Sequence, residues 1–172
     1  MSAIITRRLR AVALGLSVCA ALGLGACSKD SDLADASAYG ANGAGGASTP
    51  GSAQDFVVNV GDRVFFESDS TDLTPTATAT LDKQAVWLQR YPRYTFIVEG
   101  HADERGTREY NFSLGARRAQ SVFDYLTTRG IAAGRMRTVS YGKERPVAVC
   151  NDISCWSQNR RAVIVLDRGA GA

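Results

Sequence analysis

The chain has 172 residues and a formal net charge of +3, from 20 basic and 17 acidic side chains. This length corresponds to one domain of ordinary size with extensions rather than to two full domains. Three of the basic residues lie within the first ten positions, so the rest of the chain carries 17 charges of each sign and has no bulk field that would attract nucleic acid or another polyanion. Binding must therefore depend on particular side chains.

The first 26 residues have the layout of an export signal. Arginines occupy positions 7, 8 and 10, and an apolar run follows at residues 11–24, which is too short and too one-sidedly flanked to indicate a membrane span. The tetrad LGAC at residues 24–27 resembles a bacterial lipobox, in which a signal peptidase cuts just before the cysteine. We therefore predict a lipoprotein signal peptide over residues 1–26.

Cys27 is the predicted lipidation site. Cys19 is a poorer candidate, because the branched Val18 precedes it where a lipobox has a small residue. An alternative in which both cysteines simply lie in an apolar helix leaves the position of Cys27 at the end of the apolar run unexplained. Each buried methylene of an acyl chain contributes about 0.8 kcal/mol, so more than one chain would anchor the protein durably. Ser28 stands where an inner-membrane retention aspartate would stand, which favours the outer membrane.

Residues 27–54 are predicted to form a flexible linker. They are rich in Gly, Ala and Ser and poor in branched and aromatic residues, so they cannot bury enough apolar surface to fold. A coil of this length has a typical span of roughly 25 to 30 Å. A disordered leftover without a lipid would have the same composition. We expect one globular domain over residues 55–168 and a short tail at residues 169–172.

Strand-like and helix-like periods alternate along the domain. Strands are predicted at residues 57–60, 63–66, 94–99, 136–141 and 160–166. Thr74 resembles an N-cap before Pro75 at the first helical position, and this helix is predicted to end at Tyr91. A second helix is predicted over residues 110–129, with Gly130 as its C-cap. Loops are predicted at residues 67–72 and, as a long loop, at residues 142–159.

The second predicted helix carries an apolar stripe with a partly polar flank. At 100° per residue, the stripe contains Phe112, Ala116, Ala119, Val122, Phe123 and Leu126. The flank contains Asn111, Leu114, Arg118 and Tyr125, so Arg118 can face a neighbouring loop. Strands that alternate with helices imply right-handed βαβ crossovers, here two, with the final strand added in a mixed sheet. The predicted fold class is therefore α/β (α+β), with helices packed on a mixed sheet.

The sequence GHADERGTREYNFSLGARRAQ, at residues 100–120, is the candidate functional centre. Its charges have both signs, which suits a zwitterionic ligand better than a polyanion. Asp103 and Arg118 could instead form a structural ion pair between loop and helix, worth about 0 to 1 kcal/mol if exposed. His101, the only histidine, lies beside Asp103 and Glu104, but no nucleophile motif or paired acid and base accompanies it. We expect His101 to shape the turn or the rim of a pocket.

Cys150 and Cys155 remain once the N-terminal cysteines are assigned. An exported chain meets an oxidising compartment, in which these two can pair across their four intervening residues. A metal site is the alternative, although zinc takes four ligands and the only histidine lies far away in the sequence. A thioredoxin-like site would have two residues between its cysteines. We predict a disulfide that braces a loop, and neither a metal site nor a cofactor.

An ordered series of motifs resembles the family of peptidoglycan-associated lipoproteins, Pal. The series consists of GHADERGT at 100–107, YN at 110–111, LG at 114–115, RRA at 117–119, SYGKERP at 140–146 and NRR at 159–161. The resemblance covers about residues 63–166. It implies an OmpA-like βαβαββ fold, noncovalent binding of the meso-diaminopimelate stem peptide of peptidoglycan, and membership of the Tol-Pal system, which holds the outer membrane to the cell wall during division and includes the periplasmic partner TolB.

The resemblance also implies site residues. In that family the Asp of the GHAD-type motif and the second Arg of the RRA motif grip diaminopimelate, which implies these roles for Asp103 and Arg118. A carboxylate and a forked guanidinium suit a ligand group that carries an ammonium beside a carboxylate. Asp69 and Leu114 match positions that line the pocket, as a polar contact and an apolar wall. Ser68 stands where the family commonly has an aromatic residue, so we expect that wall to differ.

Arg160 and Arg161 open the last predicted strand. We expect one to bond inward to a carboxylate such as Glu99 or Asp103 and the other to be solvated. The favoured function is a noncatalytic, lipid-anchored outer-membrane protein whose domain lies in the periplasm and binds peptidoglycan. The alternative is a periplasmic cell-wall hydrolase with His101 and nearby carboxylates as its site.

Overall fold

A computed structural model describes residues 48–167 of the chain. The predicted signal peptide, the lipidation site Cys27, most of the predicted linker and the tail at residues 169–172 lie outside the described residues. Among residues 48–167, no helix combines the length and apolarity needed to cross a membrane.

The described part consists of a four-stranded sheet with helices. The strands are β1 (Arg63–Phe65), β2 (Thr95–His101), β3 (Met136–Gly142) and β4 (Arg161–Asp167). The helices are α1 (Ala53–Asp55), α2 (Pro75–Arg90), α3 (Arg108–Thr128) and α4 (Ile153–Asn159), with a π-helix at Phe56–Val60 and a 3-10 turn at Ala133–Arg135. The predicted strands other than 57–60 and both predicted long helices are confirmed.

The sheet is mixed, with strand order β1-β4-β2-β3. β4 is antiparallel to both β1 and β2, while β2 and β3 are parallel. β1 and β2 therefore run in the same direction, so α2 and α3 each connect two parallel strands, as the alternating pattern predicts. The last strand is inserted between β1 and β2. This arrangement brings the loops that follow β1 and β2 to the same end of the sheet.

The local sequence explains where the long helices begin and end. Thr74 accepts a hydrogen bond from the backbone N–H of Ala77, and Pro75 occupies the first position of α2. At the C-terminal end of α3, Gly130 follows the last turn with φ +85°, and the N–H of Ile131 donates to the carbonyl of Leu126. This is the left-handed C-terminal cap that the glycine predicts. Apolar faces of both helices pack on the sheet around Leu81, Leu88, Phe96, Val98, Val122 and Leu126, which are all buried.

The folded domain begins before the predicted boundary at residue 55. Ser52 caps α1, and the carbonyl of Gly51 accepts hydrogen bonds from the Tyr94 hydroxyl at 2.9 Å and from Arg93 at 2.6 Å. Asp55 accepts from the indole N–H of Trp87 at 2.8 Å. These contacts attach the end of the predicted linker to α2 and to the start of β2.

The prediction of an extended segment at residues 57–60 is wrong, because this segment is a π-helix. Its first residue, Phe56, is fully buried with its ring centroid 4.9 Å from that of Trp87. Val57 and Val58 are exposed. The three valines raised the strand propensity of the segment, but the burial of one aromatic side chain against α2 outweighs that propensity.

The first half of α3 buries a different face from the predicted stripe. Phe112 is 56% exposed, and Ala116 also faces solvent. Four residues of this half are buried instead: Asn111, Leu114, Gly115 and Arg118. The helix lies so close to β2 that a Cβ on Gly100 would stand 1.8 Å from the carbonyl oxygen of Gly115. Apolar periodicity could not show this, because polar side chains in the first half of α3 hold a neighbouring loop.

The prediction that residues 142–159 form only a loop is also wrong, since α4 occupies its second half. Asp152 caps this helix by accepting a hydrogen bond from the N–H of Ser154 at 2.7 Å. Among the residues of α4, Cys155 and Asn159 are buried. A helix of seven residues has no amphipathic period long enough to be recognised in a sequence, and it depends on its surroundings for stability.

Candidate functional site

A polar cavity of about 240 Å³ opens where the loop after β1 meets the loop between β2 and α3. Its lining consists of Ser68, Asp69, Asp103, Arg105, Gly106, Tyr110, Asn111 and Leu114. Three of the four predicted ligand-binding residues, Asp69, Asp103 and Leu114, therefore lie around one cavity. The fourth, Arg118, is not part of the lining.

The loop between β2 and α3 is shaped by its own side chains. Asp103 accepts a hydrogen bond from the backbone N–H of Arg105 at 3.2 Å, which turns the chain back on itself. Gly106 has φ +89°, a conformation that favours glycine, and Thr107 caps α3 by accepting from the N–H of Tyr110. The amide of Asn111 donates to the carbonyl of Arg105 at 2.7 Å. The motif therefore encodes a fixed turn that holds Asp103 at the cavity.

Asp103 is bound by two arginines, neither of which is Arg118. Its Oδ1 accepts from Nε of Arg105 at 3.2 Å, and its Oδ2 accepts from Nη2 of Arg105 at 2.7 Å and from Nη1 of Arg160 at 3.4 Å. Asp103 is only 7% exposed, and burial disfavours its charged form. The hydrogen bonds from Arg105 outweigh that effect, so the pKa of Asp103 lies below its ordinary value. The cavity therefore contains a carboxylate at neutral pH.

Arg105 is a site residue that sequence reasoning missed. Besides Asp103, its Nη2 binds the hydroxyl of Ser68 at 2.9 Å. Its Nη1 has no hydrogen-bond acceptor within the described part of the chain. The side chain is 44% exposed, so this nitrogen can reach a ligand. The sequence feature that could have indicated this role is the position of Arg105 two residues after Asp103, within reach of that carboxylate. The hydroxyl of Ser68 thus holds the guanidinium from the loop after β1.

Asp69 also lines the cavity, and its backbone is in a strained conformation. It is the only non-glycine residue among those described with positive φ, at +55°. The hydroxyl of Tyr110 donates to Oδ1 of Asp69. This hydrogen bond is the main reason why the pKa of Tyr110 lies above its ordinary value. Strained residues of this kind cluster at ligand sites, because their surroundings must hold them in place.

Arg118 is fully buried, and its three hydrogen bonds all go to backbone carbonyls. Its Nε donates to the carbonyl of Ser70 at 2.9 Å, its Nη1 to that of His101 at 2.9 Å and its Nη2 to that of Glu67 at 3.1 Å. Burial lowers its pKa to about 10, assisted by the nearby charge of Arg160, so it stays protonated at neutral pH. The structural ion pair between Arg118 and Asp103, which was the alternative to ligand binding, is therefore not formed. A direct contact of Arg118 with a ligand stays a prediction. Arg118 faces a neighbouring loop, as predicted, but from a buried position.

His101 does not lie at the rim of the cavity. It is the last residue of β2, 2% exposed, and its ring stacks on that of Tyr141 with centroids 5.6 Å apart. Burial, followed by the charges of nearby arginines, lowers its pKa to about 4. The 3.7 Å approach of its Nε2 to Glu99 is therefore not an ion pair at neutral pH. A neutral, buried histidine away from the cavity cannot exchange protons with a ligand there.

The two arginines at the start of the last strand behave differently from each other. Arg160 bonds inward to Asp103, as predicted, and its Nε donates to the carbonyl of Phe66 at 3.0 Å. Arg161 is not solvated, contrary to the prediction. It is 4% exposed and donates to the carbonyls of Asn159 and Arg145.

The sulfur atoms of Cys150 and Cys155 are joined in the structure, with their Cα atoms 5.6 Å apart. Asp152 lies close to both sulfurs. Because the bridge removes both thiolates, this group lacks the soft ligands that a zinc site uses. The bridge links α4 to the loop before it.

A larger cavity, of about 560 Å³, lies between the first turns of α3 and the end of β3. Its lining consists of Arg108, Glu109, Phe112, Ser140, Tyr141, Gly142 and Glu144. Arg108 and Glu144 bind each other at 3.1 Å, and none of the predicted ligand-binding residues lies there. Size alone therefore does not identify the ligand site, and the smaller cavity, with its carboxylates and free guanidinium edge, is the better candidate.

Comparisons with known proteins agree with this fold and with these motifs. The OmpA family model matches residues 65–160. A peptidoglycan-associated lipoprotein of Rhizobium meliloti is 62% identical over 151 residues, which cover 88% of this chain and 85% of that protein. One of Mesorhizobium japonicum is 57% identical over 157 residues, covering 91% and 92%.

Solved structures lead to the same conclusion. The crystal structure of the peptidoglycan-associated lipoprotein from Burkholderia pseudomallei superposes with a TM-score of 0.60 at 40% identity, covering 62% of this chain and 90% of that one. The family model, the sequence identities and the superposition point to one family. The chain belongs to the OmpA family and, within it, to the peptidoglycan-associated lipoproteins.

Proposed function

We propose that the chain binds peptidoglycan noncovalently through the cavity at Asp69, Asp103 and Arg105, with the meso-diaminopimelate residue of the stem peptide as its ligand. The observation that carries the proposal is the buried carboxylate of Asp103, kept charged by Arg105 and Arg160, in the lining of a cavity with charges of both signs. The relatives' name, peptidoglycan-associated lipoprotein, supports the same ligand.

The cavity offers one partner to each end of a zwitterionic group. Asp103 and Asp69 provide carboxylate oxygens for an ammonium, and only one oxygen of Asp69 is engaged by Tyr110. The unoccupied Nη1 of Arg105 provides two N–H groups for a carboxylate. Charge-assisted hydrogen bonds of this kind are about twice as strong as neutral ones. Leu114 provides an apolar surface for the methylene chain between the two ends.

Arg118 acts in this proposal through the loop that it holds. Its bonds to the carbonyls of Glu67 and Ser70 fix both sides of Asp69, the residue with the strained backbone. Its bond to His101 fixes the end of β2 immediately before the turn that carries Asp103. One buried guanidinium therefore sets the distance between the two acidic walls of the cavity.

We further propose the cellular setting that the sequence indicates. Residues 1–26 are a lipoprotein signal peptide, and Cys27 carries acyl chains in the outer membrane. The linker then lets the domain reach the cell wall within the periplasm, as part of the Tol-Pal system with TolB. A Cys27→Ser variant is expected to remain an unprocessed precursor or to become soluble. Recovery of a processed form in outer-membrane fractions would contradict the lipidation site.

The protein is proposed to be noncatalytic. The alternative hydrolase would need His101 as its acid or base, and this ring is buried away from the cavity with a pKa of about 4. Incubation with purified sacculi separates the two functions. A binding protein cosediments reversibly and releases no muropeptides, whereas sustained release of muropeptides would require an enzyme.

The ligand is tested by calorimetry with two peptides that differ in one group. The tripeptide L-Ala-γ-D-Glu-meso-diaminopimelate should bind, and the same peptide with L-lysine in the third position should bind much more weakly, because it lacks the carboxylate for Arg105. Asp103→Asn should lower affinity by about 10- to 100-fold, the value of a hydrogen bond to a charged group. Glu109→Gln is the control, since this exposed carboxylate lies outside the cavity. Equal binding of both peptides would refute the assigned ligand.

A further inference from the structure

Helix α4 is fastened to the preceding loop at both of its ends. Near its start, the bridge joins Cys155 to Cys150. At its end, the side-chain oxygen of Asn159 accepts from the N–H groups of Val147 and Ala148 at 2.9 and 3.2 Å, and its amide donates to the carbonyl of Ala148 at 2.8 Å. A helix of seven residues is not stable in isolation, so these attachments determine where its side chains stand.

One side chain of this helix reaches the loop that carries Asp103. The indole N–H of Trp156, the residue after Cys155, donates to the carboxylate of Glu104. The Trp156 ring lies under the guanidinium of Arg105, with Cζ 4.3 Å from the ring centroid. Trp156 therefore contacts both residues that follow Asp103, although it lies 52 positions after Glu104 in the sequence.

We propose that Trp156 is a positioning residue for the ligand cavity and that the Cys150–Cys155 bridge holds it in place. Its ring fixes the guanidinium of Arg105 in the plane that binds Asp103, and Nη1 stays free for the ligand. This inference rests on the proposed function, since it concerns the same cavity.

The geometry of Arg105 shows why such support is needed. Its side chain is 44% exposed, and a free arginine of that kind samples many rotamers. Asp103 and Ser68 hold one edge of the guanidinium, and the Trp156 ring covers one of its faces. Edge and face together leave Nη1 without a partner among the described residues, and Arg105 lines the cavity. Without the ring, Arg105 retains its charge but must be ordered again by each ligand that binds.

The test uses the domain with its bridge intact and the diaminopimelate tripeptide as probe. Trp156→Leu should weaken binding by about two- to fivefold, the range expected for one exposed cation–π contact. Trp156→Phe, which keeps a smaller aromatic face and loses the N–H, should stay within about twofold of the wild type. Ile153→Ala is the control, since this residue of α4 is 62% exposed and lines no part of the cavity.

A double-mutant cycle distinguishes positioning from a general effect on the fold. In an Arg105→Gln background, Trp156→Leu should cost no further affinity, because Trp156 acts through Arg105. The Cys150→Ser/Cys155→Ser variant should show the same loss as Trp156→Leu, and combining the two should add nothing. Additive losses, or a Trp156→Leu variant that binds like the wild type, would overturn the inference.

The side-chain Nε–H resonance of Arg105 provides a readout that does not depend on the ligand. In the wild type it should be shifted by the ring current of the indole, and in Trp156→Leu this shift should be lost. If the wild type itself fails to bind the tripeptide, the proposed function fails. The resonance then decides the inference alone, and an unchanged signal in Trp156→Leu would refute it.

Discussion

The fully buried guanidinium of Arg118 gives the sharpest prediction, because the structure and the family resemblance assign it different primary roles. Replacing it with alanine removes three hydrogen bonds to backbone carbonyls, those of Glu67, Ser70 and His101. The bond to His101 is fully buried, whereas the other two are partly buried, so water can replace them to some extent.

The cost can be worked from these three bonds. A hydrogen bond to a charged group contributes about 1.5 to 3 kcal/mol when its loss leaves a buried partner, and less when water can enter. One buried and two partly buried bonds therefore give about 3 to 5 kcal/mol for Arg118→Ala. Domains of this size are stable by about 5 to 15 kcal/mol, so the variant should fold but with a much smaller margin.

Urea denaturation followed by far-UV circular dichroism measures this loss, and Arg117→Ala is the matched control. Arg117 is the preceding arginine of the same helix, but it is exposed, and its side chain donates a hydrogen bond to the hydroxyl of Ser113. Its removal should change the free energy of unfolding by about 0.5 kcal/mol or less. If Arg118→Ala were as stable as Arg117→Ala and yet failed to bind the diaminopimelate peptide, Arg118 would contact the ligand directly and our reasoning would be refuted.

Three further predictions concern stability. Gly100→Ala should lower the free energy of unfolding, measured by urea denaturation, by more than about 3 kcal/mol, because its Cβ would stand 1.8 Å from a carbonyl oxygen of α3. Gly134→Ala is the control, since a Cβ there would have no neighbour within 4 Å, and it should stay within about 1 kcal/mol of the wild type. Burial lowers the pKa of His101 from 6.5 to about 4, so the unfolded chain takes up a proton at a higher pH than the folded chain does. The free energy of unfolding should therefore fall by up to about 3 kcal/mol as the pH drops from 6.5 to 4. His101→Gln should remove this part of the pH dependence, and an unchanged slope in that variant would contradict the assignment. Cys150→Ser/Cys155→Ser should lower stability by about 2 kcal/mol through the short loop that it opens, and a reducing agent should lower the wild-type melting temperature but not that of the variant.

The sequence was sufficient for the sheet, the two long helices and three walls of the cavity. Strong periodicity and caps, such as Thr74 before Pro75, encode these elements locally. The short elements were not predictable in this way. α4 depends on a bridge and on Asn159, and the π-helix depends on the burial of Phe56 against Trp87. Contacts between residues far apart in sequence determine both of them.

The partners of Asp103 show the same limit within the site. The family resemblance implied a carboxylate and a guanidinium around a ligand, and the cavity lining contains both, in Asp103 and Arg105. The motifs could not show which guanidinium lines the cavity, because that depends on the three-dimensional packing. Arg118 is fully buried in α3, which packs closely on Gly100, whereas Arg105 lies in the loop before α3 and is partly exposed.

The balance of charge around the cavity indicates which ligand it can accept. Three carboxylates, of Asp69, Asp103 and Glu104, lie among three guanidiniums, those of Arg105, Arg118 and Arg160. The charges of these six side chains cancel, and the buried arginines cannot move to accommodate an added charge. A stem peptide that adds an ammonium alone would leave one positive charge in excess beside these arginines, and like charges repel. A diaminopimelate end group brings a carboxylate with its ammonium and adds no net charge. The ratio of the two affinities, for the diaminopimelate peptide over the lysine peptide, should therefore fall as the salt concentration rises. The diaminopimelate peptide should still bind more tightly at high salt, because only its carboxylate can accept hydrogen bonds from Arg105.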